Sequence, residues 1–595
     1  MTCSIGIINR IERYRERIFS VPQLVTFPIG NCIKENSKLI MFKTKALAQQ
    51  PTESTSLLKE GAQGGYSSNK KIAIIGGGVA GISAARIFKQ QGLNFDVFEA
   101  SDSLSGVWSK GYPNFAIQVP GKLYEFPDKE LSDPKDYKDG LMIKKYCEEY
   151  VTDNGLENSI KLGHRVISID KTHDEKWKLT VQSARGTSIG YFDFVVVATG
   201  IYSPDLKYVP DIQGMKYFKG NVYHSEDTAN IEGRDGKKAV VVGFGKSAQD
   251  CAMNAYTETK VAPTLLFRNS HWCVPRKVLG LVPFEWLLYS RFGQGTLPRW
   301  QTCGPVELVF HTLLRPLIWL YWRIVETILI LQLGLYGSSK HLRPSLAIEH
   351  DMYCGHGVIC HPDFFPLVHK KKINAIHESI NQVLPTGELQ LTDGSIIDAD
   401  ELVFATGFKR EFHFLPNELL EKKEEDGFYT YRNMIVPDVD NIAFLNSNVT
   451  TFSNITTPTL QAAWLAELIL GNISLPQNMN EQVEEEKLWR REHLRYAGDA
   501  RAYLIQLHQL RYWDSLLEDI GADIKRKKSG LGPVVDAFMN FFVPSYSSDY
   551  KSIATGEWKE SKSGRSSRDE NKPASFLMEW AILVASIGVL NLFLC

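Results

Sequence analysis

A glycine-rich segment near residue 76 has the residue types and spacing to bind a dinucleotide. Gly76–Gly81 spells GxGxxG, follows an apolar run at residues 72–75 and precedes a helical pattern from Ser83 to Gln91. A second short strand then ends in an acid. Glycines permit a tight turn and close approach to a pyrophosphate, the helix N-terminus offers free N–H groups, and the acid accepts hydrogen bonds from a ribose diol. The predicted contact residues are Gly76, Gly78, Gly81 and Glu99.

The same unit recurs about 170 residues later. Ala239–Val242 reads as a strand, Gly243–Ala248 spells GxGxxA, and a helical pattern and another strand follow. This second unit ends in Arg268, where the first ends in an acid. A 2′-phosphate is repelled by a carboxylate and bound by a guanidinium, so the first site should take FAD or NAD and the second NADP. The second site is predicted to use Gly243, Gly245, Ser247 and Arg268, with Lys246 or Arg276 sharing the phosphate.

Two further strands each run into an Ala-Thr-Gly turn. Phe194–Val197 leads to Thr199 and Gly200, and Leu402–Phe404 leads to Thr406 and Gly407. We expect the chain to pass between the two nucleotide-binding units at these turns. The sequence therefore predicts an α/β fold with two Rossmann-like domains, the second inserted into the first.

Composition excludes several other classes. The 595 residues carry a formal net charge of −1, which argues against nucleic-acid binding by bulk charge. The nine cysteines include no CxxC pair, so neither a disulfide scaffold nor a zinc ribbon is predicted. Several potential metal ligands crowd one segment, but their spacing matches no compact zinc pattern, and we predict no metal. They are His350, Cys354, His356, Cys360 and His361.

Both ends of the chain differ from its middle. Residues 1–70 are predicted to be a flexible arm, with a targeting role as the alternative. A helical tail at 475–555 and a polar linker at 556–575 precede Phe576–Cys595, twenty residues with a single charge. This length suits a membrane anchor, with a docked terminal helix as the alternative, and the basic linker favours cytoplasmic catalytic domains. The segment 308–335 fits either an interfacial helix or a core helix.

Together these motifs resemble the flavin-containing monooxygenases, a family of class B flavoprotein monooxygenases, and most closely their plant-like branch. The resemblance covers about residues 71–550 and includes Gly106-Val107-Trp108. Phe218–His224 is similar to the family's FxGxxxH fingerprint. Four residues after the histidine the family has Phe or Tyr in its N- and S-oxygenating class and Trp in its Baeyer–Villiger class. Here that position is Thr228.

The resemblance implies an FAD domain at 71–215 and 391–474 and an NADPH domain at 216–390. It implies that NADPH reduces FAD and that a flavin C4a-hydroperoxide formed with O2 oxygenates a soft nucleophile, without a metal or a protein nucleophile. Trp108 is expected to bind the cofactor, Gln118 to approach the flavin and His224 to shape the interface between the domains. The terminal segment resembles the anchor of microsomal members, which implies the endoplasmic reticulum.

The substrate remains open at the level of sequence. We favour N-hydroxylation of an amine or amino acid, leading to an N-hydroxy product or an oxime. The alternatives are S-oxygenation of a thioether, oxidative decarboxylation of a 2-oxo acid, and Baeyer–Villiger oxygenation of a ketone, which the missing Trp disfavours. An NADPH oxidase or flavin disulfide reductase would be a different class. Its nearest cysteine pair, Cys354 and Cys360, is remote from both glycine motifs. A non-catalytic membrane protein would leave both nucleotide motifs unexplained.

Overall fold

Short apolar runs form the strands of the computed structural model, which describes residues 70–132, 137–301, 305–447, 455–505 and 508–563. The strands in these ranges are β1 Lys71–Ile75, β2 Asn94–Phe98, β3 Ile160–Lys161, β4 Arg165–Lys171, β5 Trp177–Ser183, β6 Gly186–Phe192, β7 Phe194–Val197, β8 Asn221–His224, β9 Ala239–Val242, β10 Thr264–Leu266, β11 Cys273–Val274, β12 Lys277–Val278, β13 Val282–Pro283, β14 Val358–Ile359, β15 Asn374–Ile376, β16 Ile380–Val383, β17 Leu389–Leu391, β18 Ile396–Ile397, β19 Glu401–Phe404 and β20 Ile442–Phe444.

The α-helices alternate with these strands and then dominate the last hundred described residues. They are α1 Val79–Gln90, α2 Gly140–Asp153, α3 Lys246–Thr259, α4 Glu285–Leu288, α5 Arg291–Gly295, α6 Pro305–Leu313, α7 Arg315–Gln332, α8 Ile348–Tyr353, α9 Phe364–His369, α10 Asn417–Leu420, α11 Thr456–Ile469, α12 Met479–His493, α13 Gln509–Asp519, α14 Pro533–Phe542, α15 Lys551–Thr555 and α16 Trp558–Ser563.

The first parallel sheet has the strand order β20-β7-β1-β2-β3. Ile72 pairs in register with Phe95 on one side and Phe194 on the other. Ile72 and Ile74 are fully buried, and β7 is buried along its whole length. Strands covered on both faces must be apolar throughout, which explains the unbroken Ile-Ala-Ile-Ile run. Helices α1 and α11 pack together against this sheet.

The second parallel sheet has the order β15-β10-β9-β19-β8. Strand β9 lies between β10 and β19, and all four pairings in the sheet are parallel. A three-stranded antiparallel sheet, β16-β17-β18, precedes β19. Its β17–β18 turn contains Gly394 with a φ of +87°, as the Asp-Gly pair predicts. Because β19 belongs to the second sheet, that sheet extends beyond the boundary at residue 390 expected from sequence.

The chain crosses twice between the two sheets. Strand β7 of the first sheet is followed by β8 of the second, and β19 of the second sheet is followed by β20 of the first. The two crossing segments pair with each other, since Tyr208 N donates to Gly407 O at 2.9 Å and Lys409 N donates to Leu206 O at 2.7 Å. The mixed α/β fold with parallel sheets that the sequence predicts is confirmed.

The C-terminal helices pack on the body of the first sheet. Trp513 and Tyr512 are buried in its core, as expected for a helical tail. Helix α16 differs from the expected linker, because Trp558 is 5% exposed and Lys559 pairs with Glu467 at 2.5 Å. The aromatic side chain draws residues 558–563 into the folded body. The proposed anchor at residues 576–595 and the arm at 1–69 lie outside the described residues. Within the described ranges, no helix is long and apolar enough to cross a membrane.

The segment 308–335 contains the end of α6 and all of α7, and α7 has both buried and exposed apolar side chains. Trp322 and Leu329 of α7 are buried in the core, and Trp322 Nε1 donates to Thr296 O at 2.8 Å. Two other apolar side chains of α7 are exposed, with Trp319 58% exposed and Leu331 65% exposed. Helix α7 therefore packs on the core, as one of the two alternatives expected, and its contact with a membrane interface stays a prediction.

Candidate dinucleotide-binding sites

The first glycine loop connects the end of β1 to the N-terminus of α1. Gly78 is the N-terminal cap residue of α1, with a φ of −76°, and no side chain caps the helix. A Cβ atom at Gly76 would lie 2.5 Å from Ala198 O, and one at Gly81 would lie 1.9 Å from Gly76 O, so these two glycines are required by the fold itself. A Cβ at Gly78 would meet nothing closer than 3.6 Å. Gly78 therefore leaves room at a helix N-terminus, which suits an anionic pyrophosphate.

Glu99 and Trp108 border this loop. Glu99 follows β2, and its Oε2 accepts a hydrogen bond from Gly77 N at 2.5 Å while Oε1 accepts one from Ser101 N at 2.7 Å. The carboxylate thus lies against the glycine loop, and its contact with a ribose stays a prediction. Trp108 is 9% exposed and donates from Nε1 to Tyr124 Oη at 3.0 Å. The indole is therefore fixed in the core beside the loop, and its role toward a flavin stays a prediction.

Gln118 is half-buried between two fully buried neighbours, Ile117 and Val119. Ile117 N donates to Lys138 O at 3.0 Å, which fixes the backbone at this point. The amide of Gln118 has no hydrogen-bond partner among the described residues. A half-buried amide without a partner is available to a ligand. This environment fits the predicted approach to the flavin.

The second glycine loop joins β9 to α3. A Cβ at Gly243 would lie 2.6 Å from Ala405 O, whereas one at Gly245, the N-terminal cap residue of α3, would meet nothing within 4 Å. Ser247 lies in the first turn of α3 and is half-buried. Lys246 forms an ion pair with Asp250 one turn along the helix. The loop repeats the arrangement of the first site: one glycine required by packing and one open at a helix N-terminus.

Arg268 lies two residues after β10, as the sequence predicts. The residue is exposed, and its guanidinium has no ion-pair or hydrogen-bond partner within the described ranges. Arg276, the other candidate for the phosphate, instead lies over the Tyr137 ring at 3.9 Å, and burial lowers its pKa. An uncommitted guanidinium at the strand end is available to a 2′-phosphate. Of the two arginines, Arg268 has the guanidinium that is free to bind a 2′-phosphate.

His224 ends β8 and is 3% exposed. Its Nδ1 accepts from Glu226 N at 3.3 Å, and Nε2 therefore carries the proton that is donated to Gly407 O at 3.0 Å. Burial lowers the pKa of His224, consistent with a neutral ring. His224 thus connects β8 to the second Ala-Thr-Gly turn. Its predicted role in shaping the interface between the two domains stays a prediction.

The remaining turn residues also lie at the crossings. Gly200 and Gly407 adopt positive φ values of +67° and +83°, which glycine accommodates without strain. Thr199 is half-buried beside Gly200, and the Thr406 hydroxyl donates to Tyr208 O across the paired crossings. Thr228 is 4% exposed, and its hydroxyl donates to Ser225 O at 2.8 Å. The residue at the position that distinguishes the family's classes therefore has a local, structural partner.

Two polar contacts that sequence patterns did not reveal join the two sheets. Tyr112 Oη donates to Asp250 Oδ2 at 3.1 Å, and Asn114 Nδ2 donates to Asn254 Oδ1 at 3.0 Å. Both connect the loop before Gln118 to α3 of the second sheet. The Asp250 carboxylate therefore accepts a hydrogen bond from Tyr112 and also forms the ion pair with Lys246. Such pairings between residues 138 and 140 positions apart carry no local sequence signal.

Glu285 is a buried carboxylate that the sequence analysis missed. It is 4% exposed on α4, and its Oε2 has no hydrogen-bond partner among the described residues. Lys122, four residues after Gln118, has its Nζ 3.9 Å from Glu285 Oε1. Burial is the main reason that the pKa of Glu285 is raised, and the charge of Lys122 partly offsets it. A carboxylate in this state can bind a cation or accept a proton.

The crowded histidine and cysteine segment is divided among several environments. Cys354 and Cys360 are free, buried thiols whose pKa values burial raises to about 11 and about 12. They lie in different apolar clusters, which does not favour the dithiol of a disulfide reductase. His350 is exposed, and His361 is half-buried with its pKa lowered mainly by burial. Of the five, His356 is the one that belongs to a cluster of three potential metal ligands within the described ranges.

Comparison with known proteins identifies the family of this chain. Residues 69–568 match the Flavin-binding monooxygenase-like family. Probable flavin-containing monooxygenase 1 of Arabidopsis thaliana is 28% identical, over 81% of this chain and 96% of the relative. The N-oxide-forming dimethylaniline monooxygenase 2 of Oryctolagus cuniculus is 24% identical, over 87% of this chain and 98% of the relative.

Solved structures share the fold. The S-allyl-L-cysteine S-oxygenase from Allium sativum aligns with a TM-score of 0.54 at 16% identity, covering 87% of this chain and 98% of its own. The ε-caprolactone-bound cyclohexanone monooxygenase aligns with a TM-score of 0.56 at 17% identity, covering 76% and 97%. The complex of OTEMO with FAD and NADP aligns at 0.55 and 19% identity, covering 72% and 91%. With the two glycine loops described above, these matches show that the chain belongs to the family of flavin-binding monooxygenases, oxidoreductases that use FAD and NADPH.

Proposed function

We propose that this monooxygenase oxygenates nitrogen, most directly by N-hydroxylation of an amine or amino acid, leading to an N-hydroxy product or an oxime. The observation that carries this choice is Glu285, a buried carboxylate with one unpartnered oxygen beside the segment that follows Gln118. A ketone or a neutral thioether has no use for such a group, whereas an ammonium does. The printed activity of the rabbit relative, N-oxide formation, also supports nitrogen.

The chemistry requires that an ammonium lose a proton before its nitrogen lone pair can attack. Glu285 has a raised pKa, so its carboxylate is able to accept that proton and release the neutral amine. When bound, FAD supplies the redox chemistry: two electrons from NADPH, and one oxygen atom of O2 for the nitrogen with the other leaving as water. The positive charge of Lys122 partly offsets the effect of burial on the pKa of Glu285 and favours the ionised carboxylate.

The other residues bind and orient in this proposal. Gly76, Gly78, Gly81 and the N-terminus of α1 hold the FAD pyrophosphate, and Glu99 holds its ribose. The N-terminus of α3 holds NADPH, and Arg268 binds the 2′-phosphate. Gln118 offers its free amide to the flavin, while His224 positions the crossing at Gly407. The FAD domain then comprises the first sheet and the NADPH domain the second.

The experiment compares product classes and a Glu285 variant. Purified enzyme receives NADPH, O2 and, separately, benzylamine, methyl phenyl sulfide or cyclohexanone, and mass spectrometry identifies the oxygenated product. We expect N-oxygenated benzylamine, and we expect Glu285→Gln to lower kcat/KM for the amine by roughly tenfold to 150-fold, since it loses a charged hydrogen bond of about 1.5–3 kcal/mol.

Flavin reduction by NADPH should be unchanged in Glu285→Gln. Glu326→Gln is the matched control, because Glu326 is also buried but already pairs with Arg323 at 2.8 Å. Products from the sulfide alone would favour S-oxygenation, and a lactone from cyclohexanone would favour the Baeyer–Villiger alternative. Equal losses for amine and sulfide in Glu285→Gln would contradict the assigned role.

We also propose that the enzyme lies on a lipid surface, anchored by residues 576–595 in the endoplasmic reticulum with its catalytic domains in the cytoplasm. The support is an apolar face formed by the β12–β13 hairpin and α7. Leu281 is 80% exposed, Trp319 is 58% exposed, and Leu279 N donates to Gln332 Oε1 at 2.8 Å, which joins the hairpin to the helix. Exposed Lys277 and Arg315 accompany this face and suit anionic headgroups.

Vesicle flotation tests the surface separately from the anchor. With the chain ended at residue 573, the protein should still float with anionic vesicles, and Leu281→Glu with Trp319→Glu should abolish flotation. Ile189→Glu is the matched control, since Ile189 is 56% exposed but lies on β6 of another sheet. Flotation that survives the double substitution would contradict the assignment of this face.

A further inference from the structure

Three metal-ligating side chains converge outside both glycine loops. His271 lies in the loop between β10 and β11, Asp351 lies on α8, and His356 lies just after α8. One ligand-type atom from each residue lies within 4.8 Å of the other two. His271 Nδ1 is 3.0 Å from Asp351 Oδ1, and His356 Nδ1 is 3.5 Å from the same oxygen.

These separations fit the edges of a metal coordination shell. Zinc bonds to imidazole nitrogen and carboxylate oxygen measure about 2.0–2.2 Å, so neighbouring ligand atoms on a tetrahedron lie roughly 3.3–3.6 Å apart. The separation of His356 from Asp351, 3.5 Å, lies within this range, and that of His271, 3.0 Å, is somewhat shorter. Small adjustments of the three side chains would therefore allow them to bind one ion.

Hydrogen bonding within the cluster leaves one group unsatisfied. Asp351 is 0% exposed, its Oδ2 accepts from Trp272 N at 2.7 Å, and its Oδ1 is within hydrogen-bond distance of His271 alone. His356 Nδ1 is a buried atom with no hydrogen-bond partner among the described residues. Because 3.5 Å exceeds an N–H···O hydrogen bond, the approach of His356 to the carboxylate is not explained by hydrogen bonding.

We propose that His271, Asp351 and His356 bind one divalent transition-metal ion of the zinc class. Two imidazoles and one carboxylate suit Zn²⁺, whereas Mg²⁺ and Ca²⁺ prefer oxygen ligands alone. The peptide N–H of Trp272 holds the second carboxylate oxygen, as partners outside the ligand shell commonly do. The histidine side chains are 24% and 30% exposed, which leaves a path for the ion and for water as a fourth ligand.

The sequence prediction of no metal considered one crowded segment alone. His271 lies 80 residues before Asp351, and the pairing of β11 with β14 brings the two loops together, so the crowded segment alone does not reveal this cluster. His271 is three positions after Arg268 in the chain. A bound ion would therefore connect α8 to the loop that carries the predicted 2′-phosphate ligand. Its expected role is to fix that loop rather than to take part in oxygen transfer.

The experiment uses the full flavin-loaded enzyme without a histidine tag. After chelator treatment and dialysis, the protein is titrated with Zn²⁺, and bound metal is measured by elemental analysis. Co²⁺ is the spectroscopic probe, because four-coordinate Co²⁺ gives intense visible absorption. We expect one equivalent of metal, a rise in the thermal midpoint on Zn²⁺ addition, and a lower KM for NADPH with unchanged kcat.

Two ligand variants and one control decide the outcome. His271→Gln and His356→Gln should each lose the stoichiometric Zn²⁺, the Co²⁺ absorption and the thermal shift while retaining flavin. His413→Gln should behave like the wild type, since His413 is 73% exposed and pairs with Glu411. No stoichiometric binding by the wild type, or equal binding by all four proteins, would overturn the proposal. Metal binding without any change in KM for NADPH would overturn the link to the Arg268 loop.

Discussion

Substituting Gly78 by alanine separates cofactor binding from folding at the first site. The added Cβ would lie 3.6 Å from Gly106 Cα, an ordinary contact, and the φ of −76° is one that alanine adopts readily. The fold should therefore tolerate Gly78→Ala and gain about 0.4–1 kcal/mol from a less flexible unfolded chain. The methyl group, however, occupies the space at the N-terminus of α1 through which a pyrophosphate approaches the backbone.

Losing one charge-assisted hydrogen bond at this position costs about 1.5–3 kcal/mol, or roughly tenfold to 150-fold in the dissociation constant of FAD. The assay combines flavin absorbance per protein with the thermal midpoint after adding FAD. Gly295→Ala is the neutral control, because its Cβ meets nothing within 4 Å. Gly81→Ala should instead lower stability, since its Cβ would lie 1.9 Å from Gly76 O. A Gly78→Ala protein that binds FAD as tightly as the wild type would refute the reasoning.

Three further predictions follow from single contacts. Arg268→Glu should raise KM for NADPH far more than KM for NADH, and equal increases would show that Arg268 does not bind the 2′-phosphate. His224→Leu removes the donor to Gly407 O and should slow flavin reduction by NADPH roughly threefold to tenfold; His224→Gln, which can donate again, should restore much of the rate, and stopped-flow absorbance measures both. Burial lowers the pKa of His508 to about 3. Because the unfolded histidine binds a proton below about pH 6.5 and the folded one does not, stability should fall by about 2 kcal/mol between pH 7 and pH 5, and His508→Gln should lose this dependence in urea unfolding.

Local patterns in the sequence were sufficient for both βαβ units. The helix expected from Ser83 begins at Val79, and Glu99 and Arg268 follow their strands as predicted. Glycine spacing and apolar runs act over a few residues, so these features are readable without a structure. Gly76 and Gly81 are explained by packing as well as by ligand binding, a distinction that the motif alone does not make.

Features that depend on distant pairing were not predictable. Glu285 is unusual only because folding buries it without a partner for Oε2. The approach of His271 to Asp351 depends on two loops far apart in the chain. Part of the expected linker is a packed helix, because Trp558 is buried in the core of the folded body. The chemical properties of these side chains depend on their burial and on the residues they contact, rather than on residue type alone.

The reaction with oxygen tests the central claim most directly. The flavin-loaded enzyme is reduced with NADPH without oxygen and then mixed with ¹⁸O2, with and without benzylamine, while flavin absorbance and hydrogen peroxide are followed. The account predicts that peroxide appears much more slowly than reduced flavin disappears, that benzylamine suppresses peroxide, and that its product carries one ¹⁸O atom on nitrogen. Peroxide formed in step with flavin oxidation, at the same yield with and without the amine and with no labelled product, would contradict it.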